Sequence, residues 1–303
     1  FERHGKPVEE KTFSVMTEIL DETLKNLKLQ ENGYETAAVI TTTEEEAVFA
    51  YQYLKEKFPQ TFYIDKDSSV FQKGLTVTTF YLAKGLEFDQ VFGISDGKRY
   101  GHKDMVKAGC NDCKGCSKCC QGMGHSIVLD PYDVYLLCKN LNQSFEELLS
   151  YAVELQVAEG IILPNLKMAG AEEKCSFLNE QGRCAIHGFR PGFCRMFPLG
   201  RIYEDNDFQY FLQTKECPQE PKTKVKIQKW LGIGDIRKYE TFVKDWHYFL
   251  KKMQEVLEKA QDEVLSKPFS VQLLQLFYIM PYDAGQDFYA QFYLRLEEMK
   301  KRF

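Results

Sequence analysis

The chain has 303 residues, more than the roughly 100–200 residues of one typical domain, so we expect more than one domain. Hydrophobic residues make up 44% and aromatic residues 14%, which is enough for buried cores. The net charge of −5 excludes a surface that is basic throughout, as in a general nucleic-acid binder, but not a local basic groove. No apolar run reaches the ~20 residues of a membrane span. The first residues lack both a signal sequence and an initiating Met, so we expect a protein of the reducing cytoplasm, without a membrane partner, whose true start lies upstream.

Residues 1–99 alternate between helical and strand patterns. Apolar residues spaced three and four apart from Phe13 to Leu27 predict a helix. Thr43 and Glu46 form a capping-box pattern that predicts the start of a second helix. Short apolar stretches predict strands at residues 37–40, 61–64, 75–79 and 90–94. Strands that alternate with helices favour a parallel sheet.

The stretch from Val77 to Val91 includes Lys84-Gly85-Leu-Glu87-Phe. It resembles a motif of superfamily I DNA helicases, in the UvrD-like C-terminal RecA-like domain, and is most similar to the HelD-type branch. The opening Phe-Glu-Arg-His-Gly-Lys-Pro is similar to the start of that domain. The resemblance implies a partial RecA-like lobe in which Lys84, Gly85 and Glu87 face a nucleotide, with Glu87 near the ribose and the preceding strand end near DNA.

The chain departs from this helicase family in three ways. It has no Gly-x-x-x-x-Gly-Lys-Ser/Thr phosphate loop, no acidic pair for Mg²⁺ in a matching context, and no later arginine-bearing motif. We therefore expect ATP and DNA as ligands only if a separate or upstream nucleotide-binding lobe completes the site. Without the resemblance, Lys84 and Glu87 would be assigned to a solvated turn between two strands.

The ten cysteines lie between Cys110 and Cys217, and the densest run is Cys113-Lys-Gly-Cys116-Ser-Lys-Cys119-Cys120. In a chain without a secretory signal, this crowding indicates metal ligands and not disulfides. Thiolates suit Zn²⁺ and iron–sulfur clusters, and four of them complete one site. Between the cysteine groups, Asp130-Pro-Tyr-Asp133 predicts one helix start. Ser144 to Glu147 predicts a second helix that reaches about Ala158.

The later cysteines lie in Cys-x-Phe-Leu, Cys-x-Ile and Arg-Pro-x-x-Cys-Arg-x-Phe-Pro stretches. Together with the CxxCxxCC run, residues 105–220 resemble the YkgJ-like family of zinc- or iron-chelating CxxCxxCC domains. The resemblance implies eight ligands: Cys113, Cys116, Cys119, Cys120, Cys175, Cys184, Cys194 and Cys217.

Ligand type alone leaves zinc and iron–sulfur open. Eight thiolates suit two zinc ions, one cluster with spare cysteines, or two clusters. Similarity to cluster-associated proteins such as flagellin lysine methylases favours a [4Fe–4S] cluster. Adjacent side chains point apart on most backbones, so we expect only one of Cys119 and Cys120 at the main site and the other at a second ion or in a redox role.

Neighbouring side chains have alternative roles. Cys110 is either a spare ligand or a bystander, and Cys138 is expected to be a small core residue. His125 and His187 are expected to be ordinary hydrogen-bonded histidines, because eight cysteines leave no need for them as ligands. Two arginines, Arg190 and Arg195, either donate hydrogen bonds to the thiolates or form surface salt bridges.

Residues 222–303 carry helical apolar patterns, broken at Gly232 and again near Pro281, that predict helices packed on the cysteine domain. The expected fold is mixed. A partial α/β RecA-like lobe of residues 1–99 precedes a mainly α-helical, loop-rich cysteine domain of residues 104–221 and a helical extension of residues 222–303. The abrupt join near Asp96 indicates a fusion.

Three functions follow from these patterns. The first is a metal-binding protein whose cysteines hold an iron–sulfur cluster or zinc in a structural or electron-transfer role. The second is a portion of an ATP-dependent DNA helicase. The third is a cluster-dependent protein-modifying enzyme of the methyltransferase type, which would bind S-adenosylmethionine. No catalytic residue is assigned.

Overall fold

The computed structural model describes most of the chain. The described residues are 9, 11–29, 31, 33–65, 68, 72–80, 82–83, 86, 88–95, 97–109, 116–158, 160–170, 173–213, 217, 219, 221–260 and 263–302. They divide into two compact units, one of residues 3–99 and 212–218 and the other of residues 100–211 and 219–303. Each unit is described by itself.

The N-terminal unit contains a parallel four-stranded sheet with the strand order β2-β3-β1-β4. Its elements are α1 (Met16–Asn26), β1 (Thr36–Thr41), α2 (Glu44–Lys57), β2 (Thr61–Tyr63), β3 (Gly74–Thr79) and β4 (Gln90–Gly93). The predicted helices, strands and parallel pairing are therefore confirmed. Strand β3 is buried along its whole length, and β1 is buried except at Thr36, as expected for the inner strands of a parallel sheet.

The start of α2 has the predicted capping geometry. The Thr43 hydroxyl accepts the Glu46 N–H at 3.2 Å, and the Glu46 carboxylate accepts the Thr43 N–H at 3.0 Å. The predicted nucleotide-facing residues Lys84, Gly85 and Glu87 lie outside the described residues. A RecA-like lobe thus stays a prediction, whereas the parallel sheet is established.

The second unit mixes helices with short antiparallel sheets. Its helices are α3 (Pro131–Leu141), α4 (Phe145–Tyr151), α5 (Gly192–Met196), α6 (Ile227–Leu231), α7 (Ile236–Ala260), α8 (Glu263–Leu274) and α9 (Phe288–Arg302). Its strands are β5 (Met105–Gly109), β6 (Val153–Ala158), β7 (Ile161–Leu166), β8 (Met168–Ala169), β9 (Lys174–Cys175), β10 (Leu199–Glu204), β11 (Asp207–Leu212) and β12 (Thr223–Lys226). The pairs are β5 with β12, β6 with β7, β8 with β9 and β10 with β11.

The prediction of a mainly α-helical cysteine domain is wrong, because more of its described residues lie in strands than in helices. Helix α4 ends at Tyr151 and does not reach Ala158. After Ala152, residues Val153–Ala158 form β6, which pairs with β7 in a tight hairpin whose turn includes Gly160 at φ 78°. Glycine adopts this left-handed conformation without steric cost. Residues 223–226, predicted as part of a helical extension, form strand β12.

A shared aromatic core joins the cysteine segments to the C-terminal helices. Along α7, Phe242 and Trp246 are buried and pack against rings of the following helices. The Phe242 ring meets Phe292 of α9 with 4.7 Å between centroids, and the Trp246 ring lies 4.9 Å from Phe277. The same core contains Ile127 and other residues of the cysteine segments. The predicted division between residues 104–221 and 222–303 remains a prediction.

Within the described residues, no helix combines the length and apolar character that a membrane crossing requires.

Candidate metal centre

Six cysteines that are far apart in the sequence line one pocket in the second unit. The pocket has about 550 Å³ of empty space, including the part open to solvent. The thiols are those of Cys116, Cys119, Cys120, Cys175, Cys184 and Cys194. Apolar walls come from Ile127, Leu166, Ile186 and Pro191, and the charged or polar lining from Arg183, His187 and Arg190. The sequence patterns therefore converge on a single site of sulfur donors.

The first cysteine segment is attached to the second through its backbone. Cys119 and Cys120 lie in a short 3-10 turn in which the Cys120 N–H binds the Ser117 carbonyl at 2.9 Å. Just after it, the Gly122 N–H donates to the Glu173 carbonyl at 3.1 Å. Glu173 immediately precedes β9, and that strand ends at Cys175. The two segments thus place Cys120 and Cys175 in the same pocket.

Cys184 is held by a small loop. The Ala185 N–H donates to the Phe177 carbonyl at 2.8 Å, and Cys184 forms a bridge with Leu178. Gly182 turns the chain between these contacts at φ 66°. The Gly-Arg-Cys stretch seen in the sequence is therefore a turn that returns a thiol to the pocket.

Cys194 lies on the single-turn helix α5, which is held at both ends. At its start, the Gly192 N–H donates to the Asp133 carboxylate of α3 at 2.7 Å. At its end, the Trp230 indole N–H lies 3.2 Å from the carbonyls of both Met196 and Phe197. Helix α5 is too short to be stable alone, so these contacts fix the Cys194 backbone.

Arg195 provides a further link for α5. Its guanidinium donates to the Leu231 carbonyl at 3.1 Å and to the Gly188 carbonyl at 3.3 Å. Neither acceptor is a carboxylate or a thiol. The Arg195 guanidinium thus bonds main-chain carbonyls, which differs from both predicted roles, a surface salt bridge and a donor to sulfur.

The thiols influence one another electrostatically. Hydrogen bonds to Cys119 and Cys184 raise the pKa of Cys120. The bond from Cys120, helped by the Ile186 N–H and the Arg190 charge, lowers the pKa of Cys184 to about 7. Burial raises the pKa of Cys175, and raises that of Cys194 well above its ordinary value. The pocket thus holds one thiol that ionises readily and others that stay protonated without a counter-charge.

The expectation that Cys119 and Cys120 separate is wrong, because both line the pocket and their thiols are in contact. Cys110 and Cys113 lie outside the described residues. Cys217 is buried and is grouped with the N-terminal unit, so its role as a ligand stays a prediction.

The remaining predicted residues have ordinary partners. His125 is hydrogen-bonded to Glu154 at 2.7 Å, as predicted. Arg190 contacts the ring of His187 at 2.9 Å and lines the pocket with it. Cys138 is half-buried against the core, and burial raises the pKa of its thiol to about 11.

The described part of the site is a cavity lined by thiols. Among the residues that the structure describes, no three His, Cys, Asp or Glu side chains are grouped closely enough to hold a bare metal ion. The donor set itself, all sulfur, fits zinc and iron–sulfur groups.

Two features of the site were missed by sequence reasoning. Arg183 lines the pocket, and its place beside Cys184 in the sequence was the available signal. Asp133 was identified only as a helix-capping residue, whereas it also binds Gly192. No local pattern links those two positions.

A donor set made of thiols suits a soft metal ion. In agreement, residues 112–218 match the family model CxxCxxCC, described as "Putative zinc- or iron-chelating domain". This match contains all six pocket cysteines and supports a metal-binding role for this part of the chain. The match covers well under half of the chain, so it describes this segment and not the protein as a whole. No curated protein matches the chain, and the helicase resemblance gains no support from these comparisons.

Proposed function

We propose that this protein binds zinc or iron through the thiolates of the pocket. The observation that carries the proposal is the convergence of Cys116, Cys119, Cys120, Cys175, Cys184 and Cys194 on one cavity. Thiols crowded in this way repel one another once ionised, and a bound cation removes that cost. Cys113 and Cys217 complete the proposed set through the family resemblance.

The finer proposal is an iron–sulfur cluster, in particular [4Fe–4S]. Six thiols exceed the four that a single ion or cluster requires. All six line one pocket, so a cluster could be held by four of them with two to spare. Zinc is the alternative outcome of the same experiment.

The proposed role is structural, or electron transfer if the metal is iron. The ligands come from the 3-10 turn, β9, the Cys184 loop and α5, so a bound group would cross-link four chain segments. The binding free energy of such a site is largely folding free energy. Bound metal would therefore stabilise the second unit.

The deciding experiment is isolation of the protein without oxygen, followed by quantification of iron, zinc and acid-labile sulfide and by visible absorption. Equal amounts of iron and sulfide, together with visible absorption from thiolate-to-iron charge transfer, support a cluster. Zinc without sulfide supports the alternative. A colourless, folded protein without either metal contradicts the proposal.

A matched pair of variants tests the ligand set. Cys116→Ser removes a pocket thiol, and we expect lower metal content together with lower thermal stability of the unit. Cys138→Ser removes a thiol that is absent from the pocket lining, so its metal content should equal that of the wild type. Unchanged metal content and stability in Cys116→Ser would argue against its role as a ligand.

The other two functions remain predictions. A helicase portion requires a partner that carries the phosphate loop, and DNA-stimulated ATP hydrolysis with that partner is its test. The methyltransferase-type enzyme predicts binding of S-adenosylmethionine, and the absence of a thermal shift with that cofactor counts against it.

A further inference from the structure

Asp133 has a second contact in addition to its role in the helix cap. Its side chain is only 3% exposed. One carboxylate oxygen accepts the Asp130 N–H at 3.2 Å and completes the capping box of α3. The other oxygen accepts the Gly192 N–H at 2.7 Å. One buried carboxylate therefore ties the start of α3 to the start of α5.

The Gly192 backbone is confined from two directions. The Asp133 side chain holds its N–H at 2.7 Å in a buried setting. On another side, the Tyr239 hydroxyl of α7 packs so closely that a β-carbon at position 192 would collide with it. That hydroxyl is itself held by the Arg201 guanidinium at 3.0 Å. The first residue of α5 therefore has little freedom to shift.

Cys194 is the third residue of the five-residue helix α5. Because this helix is a single turn, displacement of its first residue is transmitted directly to the cysteine. Pro191, which immediately precedes the helix, lines the same pocket as Cys194. The position of the Cys194 sulfur in the pocket thus depends on the bond between Asp133 and Gly192.

We propose that Asp133 is a positioning residue for the metal centre: its carboxylate fixes the backbone of α5 so that the Cys194 sulfur faces the pocket. The inference rests on the proposed function, since Asp133 acts on a proposed ligand and does not itself touch the metal. It also gives a functional reason for the hydrogen bond between the Asp-Pro-Tyr-Asp and Arg-Pro-Gly-Phe-Cys stretches.

The test compares Asp133→Ala with Asp130→Ala. Both variants break the same capping box, because Asp130 accepts the Asp133 N–H at 2.8 Å. Only Asp133→Ala also removes the bond to Gly192. The first readout is the affinity for Co²⁺ and the intensity of its thiolate-to-metal absorption, with Zn²⁺ as competitor. The second is the alkylation rate of the Cys194 thiol in metal-free protein, followed by peptide mass spectrometry.

For Asp133→Ala we expect metal affinity to fall roughly 10- to 100-fold, the range found when a partner that orients a ligand is lost. Alkylation of Cys194 should accelerate relative to Cys184. Asp130→Ala should resemble the wild type in both readouts while sharing the loss of the cap. Equal effects of the two substitutions would overturn the inference.

Two further outcomes are distinguishable. If Asp133→Ala loses its helical circular dichroism, the isosteric pair Asp133→Asn and Asp130→Asn replaces the alanine pair. An amide at position 133 offers one oxygen to two N–H donors, so Asp133→Asn alone should weaken cobalt binding and expose Cys194. If the wild type binds no metal, the proposed function fails, whereas Cys194 alkylation still decides whether Asp133 positions α5.

Discussion

The thiols of Cys120 and Cys184 interact with each other, although two helices and two pairs of antiparallel strands lie between them in the sequence. Both sulfurs line the pocket. The contact joins the compact CxxCxxCC run to the later cysteines and gives the second unit a pair of thiols that can react with each other.

This contact predicts the product of oxidation. In metal-free protein, diamide should convert Cys120 and Cys184 into a disulfide, since the reagent accepts the two electrons and two protons that the thiols release. Both sulfurs line the same pocket, and their interaction favours this pair over the others. Peptide mapping should find this link, and bound metal should suppress it. A disulfide involving Cys138, or a Cys119–Cys120 link as the main product, would contradict the contact.

Metal binding should depend on pH because thiols must lose protons to become ligands. Burial raises the pKa of Cys175 and Cys194, so both are protonated at neutral pH without metal. Cys184, with its pKa lowered to about 7, becomes protonated as the pH falls through that value. We therefore expect affinity to rise with pH and protons to be released on binding.

Calorimetric titration with Zn²⁺ in buffers of different ionisation enthalpy measures that release. The apparent binding enthalpy should change with the buffer in proportion to the protons released. An enthalpy that is the same in every buffer would show that the thiols are already ionised.

Gly192→Ala should destabilise the protein, because the new methyl group would collide with the Tyr239 hydroxyl. Overpacking of a buried site typically costs about 1–3 kcal/mol. Gly188→Ala is the matched control, since a β-carbon there meets no atom within 4 Å. Urea unfolding of the two variants should separate them, and equal midpoints would contradict the described packing.

The capping box of α2 offers a test that is independent of the metal centre. Thr43→Ala removes the hydroxyl that accepts the Glu46 N–H, which typically costs about 1 kcal/mol. The N-terminal unit should therefore unfold at lower urea concentration. A urea midpoint equal to that of the wild type would contradict the capping bond.

Local signals in the sequence were sufficient for several elements. The cap patterns at Thr43, Asp130 and Ser144 identify three helix starts, because each is contained within four consecutive residues. The same local reasoning extended α4 too far. The predicted helix runs through Val153-Glu-Leu-Gln-Val157, although alternation of apolar and polar residues is typical of a strand. In the structure these residues pair with β7.

The composition of the pocket was foreseeable, but its arrangement was not. The spacing of the cysteines and the family resemblance predicted which cysteines would serve as ligands. The contact between Cys120 and Cys184 and the bond between Asp133 and Gly192 join positions whose neighbourhood depends on the whole fold. No periodicity or motif specifies such pairs.

The contacts of helix α5 also limit how short a folded fragment of this protein can be. The segment matched by the family model ends at residue 218, yet Trp230 and Tyr239, which enclose α5, lie beyond that point. An excised fragment of residues 112–218 would expose the carbonyls of Met196 and Phe197 and leave Gly192 without its neighbour. The stretch of chain that must fold to position α5 is therefore longer than the segment that the family model matches.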